Sequence, residues 1–380
     1  MKINVLFVAH EMQINGASFS MLNLMDKLSN RCNFTVVTPF HNGPFVAELR
    51  KRRIDYYYVP YDRWIEFKDK DYNMLKLKWL VKRDKRNQKL AEDFAKTIRN
   101  KRIDIIHSNT GVVDFGYRLS KILKVPHVWH MREFGKEDFN MYPLVSERKF
   151  RKTINDDNEI VCISKAVMDK YSKFVPEEKL HLIYNGVDSN NIIEKRKFTK
   201  SKKEKLVLLQ TGMISKAKGQ DITIKAVDEL YSEGIKNIEL VLAGRGDLKS
   251  LGVPTEDKDW LKYLGQVSNM KEVREKANVE IVSSRKEAFG RVTIEAMMGQ
   301  IPVIGSSSGG TKELIKDNEN GLLFTPGDYK NLKEKIKYLY DNRDEIKRMG
   351  INAYNYSKEY FLIDRCANEV YELYKEVLNK

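Results

Sequence analysis

The stretch Glu287-Ala-Phe-Gly-Arg-Val-Thr-Ile-Glu295 runs on through Ala296-Met297-Met298-Gly299 into Ile301-Pro302-Val303-Ile304-Gly305 and Ser308-Gly309-Gly310. An apolar run, Val279 to Val282, precedes it, so the order reads strand, turn, helix, strand. Two carboxylates flank the turn. The backbone N–H groups of Phe289, Gly290, Arg291 and Val292 lack partners further back in such a helix and are expected to face a ligand. A glutamate on either side can accept hydrogen bonds from hydroxyl groups. Taken alone, two glutamates at this spacing more often mean one solvated carboxylate and one paired at a helix start.

Working outward, short β-branched runs alternate with longer helical stretches. Strands are predicted at Ile3 to Ala9, Phe34 to Thr38, Ile103 to Ser108, His127 to Trp129 and Glu159 to Ile163. A second series is predicted at Leu206 to Thr211, Ile238 to Ala243, Val279 to Val282 and Pro302 to Gly305. Runs apolar on both faces, with helices between them, indicate parallel sheets. The 380 residues suit two domains of roughly 150 to 200 residues. Residues 1–188 are read as the first, the polar, Lys-rich 189–205 as a linker and 206–356 as the second. Residues 357–380 form a helical tail (Tyr360, Phe361, Val370, Tyr371, Tyr374, Val377) expected to pack back on the first domain. The fold class is therefore α/β, with two Rossmann-like doubly wound domains facing across a cleft, where ligands of such sheets bind at the carboxyl ends of the strands.

The first strand runs into His10-Glu11 and Ile14-Asn15-Gly16-Ala17-Ser18, followed by an apolar-periodic helix. Such a turn lets backbone approach an anion, although one glycine after a strand is more often a plain turn. Lys and Arg number 68 against 53 Asp and Glu, a formal charge of +15 that favours anionic partners without naming one. No nucleic-acid-binding signature accompanies it, so no nucleic-acid partner is expected. Cys32, Cys162 and Cys366 lie far apart, which argues against a zinc cluster or disulfide framework and fits a reducing compartment. The short apolar run of MKINVLFVAH falls short of a signal-peptide core, and no stretch reaches the roughly 18 apolar residues of a membrane span. A cytoplasmic location is expected, with any membrane contact peripheral.

From Gly212 to Asp328 the landmarks fall in a familiar order: Gly212, Lys218-Gly219, Ala243-Gly244-Arg245-Gly246, Leu264-Gly265, the Glu287 to Glu295 stretch, Gly309-Gly310 with Glu313, then Asn320-Gly321-Leu322-Leu323 and Pro326-Gly327-Asp328. The first half adds Gly16, Asp104-Ile-Ile-His107, Trp129-His130, Cys162-Ile163-Ser164 and Asn185-Gly186-Val187-Asp188. In these features the whole chain resembles glycosyltransferase family four, the retaining family of GT-B fold.

The resemblance implies transfer of a sugar, with retention, from a nucleotide-diphosphate-sugar (UDP favoured) to a carbohydrate or lipid-linked saccharide acceptor in bacterial surface polysaccharide synthesis. It implies that Glu295 holds the ribose, that Glu287 contacts the transferred sugar beside the Phe289, Gly290 and Arg291 backbone, and that Lys218 neutralises the diphosphate. His130 would lie near the reacting sugar, and Gly16 and Ala17 would come over the phosphates. Gly212, Gly244, Arg245 and Val292 complete the donor set. No cofactor is implied, since the nucleotide-sugar is a substrate. No cluster of His, Asp and Glu with metal-ligand spacing is recognised, so no metal is expected. The family usually carries an arginine after the glycine at Gly212, where this chain has Met213; Arg132, Lys216 and Arg291 are candidates to replace its charge. His107 ends a strand and reads more readily as structural, while His41, His127 and His181 have no pattern behind them.

Between Trp64 and Arg102 basic residues interleave with Tyr72, Leu75, Leu77, Trp79, Leu80 and Phe94. The stretch reads equally as a surface that rests on anionic lipid or as solvated helices packed on the first domain. Rival readings are a same-fold nucleotide-sugar epimerase, a phosphorylase and a non-catalytic partner subunit.

Overall fold

Two parallel sheets organise the chain. The computed structural model describes residues 2–67, 74–189, 192, 193, 196, 198, 201 and 203–380, with the side chains of 67, 74–78 and 139 left aside. Tyr72 of the basic segment, and the side chains of Leu75 and Leu77, therefore lie outside the described residues. The chain divides into a unit of Met1–Gly186 with Ile363–Lys380 and a unit of Val187–Leu362.

The first unit holds strands β1 (Ile3–Val8), β2 (Cys32–Thr38), β3 (Asp55–Tyr58), β4 (Ile65–Phe67), β5 (Ile105–Ser108), β6 (His127–Met131), β7 (Met141–Pro143), β8 (Asn158–Cys162) and β9 (Leu180–Leu182). Seven of them form one sheet in the order β3-β2-β1-β5-β6-β8-β9, and β4 pairs with β7 apart from it. The second unit holds β10 (Leu206–Thr211), β11 (Ile238–Ala243), β12 (Leu261–Tyr263), β13 (Val279–Val282), β14 (Val303–Ser306) and β15 (Gly321–Phe324), ordered β12-β11-β10-β13-β14-β15. Every neighbouring pair in both large sheets is parallel. Each sheet reverses its winding once, between β1 and β5 and between β10 and β13. The crevice that binds ligands in doubly wound sheets opens at such a reversal.

The central strands form because their residues are apolar on both faces and both faces are covered by helices. The helix Gly16–Leu28 buries Met21, Leu22, Leu24, Met25 and Leu28 in the first core. The last helix, Ile363–Asn379, joins that core through Ile363, Cys366, Ala367, Val370, Leu373, Tyr374 and Val377, a three-and-four spacing that makes one apolar stripe. The helix before it runs unbroken over Arg343–Tyr360, so the chain leaves the second unit after Leu362. Cys32, Cys162 and Cys366 are buried free thiols.

Of the basic segment, the helix Met74–Thr97 buries Ala91, Phe94 and Ala95. Arg83 is also buried and pairs with Glu66 at 2.7 Å, while Arg86 pairs with Asp62 at 2.8 Å. Trp79 and Val81 are exposed, among exposed Lys82, Lys85 and Lys89. Part of this segment is thus packed helix and part an open basic surface. Among the described residues no helix is long and apolar enough to cross a membrane.

Candidate active site

In the second unit the loops that leave β10 and β13, the two strands at the reversal, are locked together by buried polar groups. The Gln210 amide donates to the Lys218 carbonyl at 3.0 Å and to Ser283 Oγ at 2.8 Å, and Ser283 Oγ donates to the Gly219 carbonyl at 2.8 Å. Gly219 has φ +73°, and a Cβ there would lie 2.1 Å from the Ser283 carbonyl oxygen, so only glycine fits. This crossing carries Lys218, at the end of a short turn, to Glu287. Lys218 Nζ lies 2.7 Å from Glu287 Oε2, which also accepts from Ser284 Oγ at 3.1 Å. The lysine stem runs past Gly212, whose N–H donates to the Ala243 carbonyl at 2.8 Å.

The loop after β11 is pinned by Tyr263, whose hydroxyl donates to the Gly244 carbonyl at 2.9 Å and the Gly246 carbonyl at 2.8 Å. Arg245 between them is exposed. The Glu287 carbonyl accepts from the Gly310 N–H at 2.7 Å, and a Cβ on Gly310 would lie 2.5 Å from the Phe289 carbonyl oxygen. The Gly-Gly pair is therefore the seat of the Glu287 loop. Phe289 is buried, Gly290 caps the helix Arg291–Met298, and Val292 is half-buried at its start.

Glu295, one turn further on, is held by two arginines. Its Oε1 lies 3.0 Å from Arg291 Nη2 and its Oε2 lies 3.0 Å from Arg274 Nη1. Burial works to raise its pKa, but Arg274 and Arg291 more than offset that and hold it below the ordinary carboxylate value. Two of roughly four acceptor positions on the carboxylate are thereby filled, leaving two for a pair of hydroxyls. Arg274 is itself buried, and its Nε donates at 3.0 Å to Glu280, which is wholly buried in β13. Nothing in the polar run Met270–Lys276 marks Arg274 as a core residue. The available signal was Glu280, because a glutamate inside a central strand demands a partner.

Met213 is half-exposed, and its candidate replacements differ in position. Arg291 is engaged with Glu295, Lys216 is exposed, and Arg132 belongs to the first unit.

In the first unit His130 is fully buried on β6. Its Nδ1 lies 3.3 Å from Arg132 Nη2 and 3.2 Å from His107 Nε2. Arg132 Nε donates to the Asn109 carbonyl at 3.0 Å and to Asn109 Oδ1 at 3.1 Å, and its Nη1 donates to Asn185 Oδ1 at 2.5 Å. Asn109 Nδ2 in turn donates to the Ala17 carbonyl at 3.1 Å. One polar chain thus ties the Gly16-Ala17 helix start to His130, and Asn109, which the sequence reading passed over, is its middle link. His107 is structural in the sense expected of a buried strand residue, yet it bonds to His130 directly. His127 bonds Ser108 and Asn158, and His181 bonds Glu159. Among the described residues no group of three His, Cys, Asp or Glu is placed to hold a metal ion.

Two doubly wound parallel sheets, one in each unit, are the architecture of the GT-B glycosyltransferases. The model of glycosyltransferase family four matches residues 14–191, and that of the glycosyl transferases group 1 matches 191–356. End to end the two cover most of the chain, which belongs to the family-four glycosyltransferases and is an enzyme of that class. An uncharacterized glycosyltransferase of Methanocaldococcus jannaschii is 28% identical over 74% of this chain and 77% of its own. N-acetyl-alpha-D-glucosaminyl L-malate synthase of Bacillus anthracis is 23% identical over 76% and 79%. The crystal structure of Anabaena HepE in complex with UDP superimposes with a TM-score of 0.77 at 20% identity, covering 99% of this chain and 100% of that one.

Proposed function

We propose that the enzyme is a retaining, metal-independent glycosyltransferase that takes a sugar from a UDP-sugar and passes it to a saccharide or lipid-linked saccharide during bacterial surface polysaccharide synthesis. The observation that carries this reading is the Lys218–Glu287 pair at 2.7 Å on the two loops of the winding reversal. Lys218 is then the charge on the leaving diphosphate, which lowers the barrier without a metal. Glu287 takes sugar hydroxyls, Glu295 takes the ribose, and Gly212, Gly244, Arg245 and the backbone of Phe289 to Val292 line the donor. In the first domain the proposal keeps Gly16, Ala17 and His130 as candidate substrate-contacting residues. Retention follows a front-face displacement, in which the departing diphosphate takes the proton of the attacking hydroxyl. A UDP donor is favoured by HepE, solved with UDP and with UDP-glucose. A polysaccharide role is favoured by the capsular polysaccharide biosynthesis glycosyltransferase CapM of Staphylococcus aureus, 26% identical over 51% of this chain.

Calorimetric titration with UDP, GDP and ADP in EDTA tests the donor class and the metal independence together. One nucleotide is expected to bind, and Glu295→Ala to weaken it more than about tenfold, roughly 1.4 kcal/mol. No binding by any nucleotide would leave the donor assignment without support.

The exposed Trp79, Val81, Lys82, Lys85 and Lys89 support a second element of the proposal, a peripheral seat on the cytoplasmic face of an anionic membrane. The protein is expected to co-sediment with phosphatidylglycerol vesicles at low salt and to be released as salt screens the surface charge. Failure to sediment even at low salt would sink this element alone.

A further inference from the structure

Gln210 is 3% exposed on β10, a central strand whose other buried positions are apolar. Its partners dictate how the amide lies. The Lys218 carbonyl has lone pairs and no proton, so the side of the amide that faces it at 3.0 Å is the NH2 group. The same NH2 donates to Ser283 Oγ at 2.8 Å. Ser283 has one proton to give, and the Gly219 carbonyl at 2.8 Å lies closer to it than the Lys218 carbonyl at 3.2 Å. Thr223 Oγ1, 3.0 Å from Ser283 Oγ, is then a donor to it. What remains is Gln210 Oε1, buried and without a partner among the described residues.

The two carbonyls of this cluster are held differently. That of Gly219 also accepts from the backbone N–H groups of Ile222 at 3.0 Å and Thr223 at 3.3 Å, in the first turn of the helix Gln220–Ser232, so the helix anchors it whatever Gln210 does. That of Lys218 lies one residue ahead of this anchor and is held by side chains, of which Gln210 is the nearer donor. A buried acceptor left unpaired is destabilising and calls for an explanation. Methionine, unbranched and of similar length, would remove the unpaired oxygen while Ser283 and Gly219 stay bonded to each other. We infer that Gln210 is a positioning residue, an amide that tethers the Lys218 backbone so that the ammonium meets the diphosphate, in a core that would be no less stable without it. The inference rests on the proposed role of Lys218 as the charge on the diphosphate. It adds a group, outside the glycine-punctuated turns, through which the strand β10 sets where that charge stands.

The test is a double-mutant cycle on the full-length protein, read with whichever of UDP, GDP and ADP the wild type binds. Gln210→Met is expected to raise the Kd about threefold to fivefold, the share of one neutral hydrogen bond in placing the charge. In the Lys218→Ala background the same change is expected to leave the Kd where it was, because Gln210 acts through the lysine. Urea unfolding of Gln210→Met is expected at the wild-type midpoint or above it. A purely structural glutamine gives the reverse, a lower midpoint with a Kd that is unmoved or moved equally in both backgrounds. A Kd unmoved by Gln210→Met, an equal rise in the Lys218→Ala background, or a midpoint well below that of the wild type, failure to fold included, each overturns the inference. The single variant Lys218→Ala keeps the two claims apart. If it left the Kd intact, or if the wild type bound none of the three nucleotides, the reading of Lys218 at the diphosphate would fall and the inference with it; if it weakened binding while Gln210→Met did not, the inference alone would fall.

Discussion

Arg274→Met is expected to destabilise the second domain by about 3–5 kcal/mol, the range for removing one member of a buried ion pair. Arg274 is 2% exposed and Glu280 0%, so water cannot replace the lost charge. The substitution leaves Glu280, whose carboxyl is already held above its ordinary value by burial, without its charged partner among Val279, Ile281 and the rest of the core, and leaves Glu295 with Arg291 as its arginine partner. Arg274 also serves through its backbone, since its carbonyl accepts from Arg196 Nη1 at 3.1 Å, and that bond survives the change. Replacing both partners, as Arg274→Met with Glu280→Leu, is expected to recover most of the loss, because a buried pair exchanged for apolar groups of similar volume is often nearly neutral. Urea unfolding of the wild type, the two single variants and the double variant gives the coupling energy directly. A loss below about 1 kcal/mol in Arg274→Met, the scale of an exposed pair, would show that the pair contributes no more than a surface one. The double variant separates stability from function as well. With the fold restored, any remaining deficit in nucleotide affinity reports what Arg274 contributes to holding Glu295.

Arg274 also shows where the sequence is silent. The central strands are legible because burial on both faces leaves a single kind of residue there, and Leu206–Thr211, Ile238–Ala243 and Val279–Val282 fall where their apolar runs predict. Edge and outer strands escape. Asp55–Tyr58, Leu180–Leu182 and Leu261–Tyr263 are short and lie at the sheet margins, where one neighbour and partial exposure tolerate polar and aromatic residues, while Gly321–Phe324, also at a margin, is apolar but only four residues long. The same limit applies to the site. Lys218 and Glu287 are singled out through the resemblance, carried by the order of glycine-punctuated turns around them; the spacing taken alone favours a solvated carboxylate. What joins them is a set of small polar residues, Gln210 and Ser283, whose partners are fixed only when β10 and β13 become neighbours. Tyr374 is likewise read as one more aromatic on an apolar stripe. Its hydroxyl acquires a hydrogen-bond partner only because His107 lies opposite it, 267 residues away.

Lys218→Ala is expected to lower turnover about 10²- to 10³-fold, roughly 2.7–4 kcal/mol, the effect of removing one preorganised group from a developing negative charge. The lysine is about one-third exposed and Glu287 about one-fifth, so their pairing by itself is a modest surface interaction. On the proposed reading its value arises when a diphosphate displaces the carboxylate as the nearest anion. UDP separates the two partners, because it carries the diphosphate and lacks the sugar. Lys218→Ala is expected to weaken UDP binding about tenfold, and the deficit should shrink as salt screens the charge. Glu287→Gln is expected to leave UDP binding unchanged while lowering turnover, since the proposal gives its carboxylate to hydroxyls of the sugar. Lys218→Arg should keep the charge and recover part of the UDP affinity, but less of the turnover, because the longer, planar guanidinium spreads its charge over a fork where the ammonium is a compact point charge. Titration of UDP into these three variants distinguishes the roles. An unchanged UDP affinity in Lys218→Ala would move the diphosphate charge to another cation, with Lys216, two residues earlier in the same turn, the first to replace.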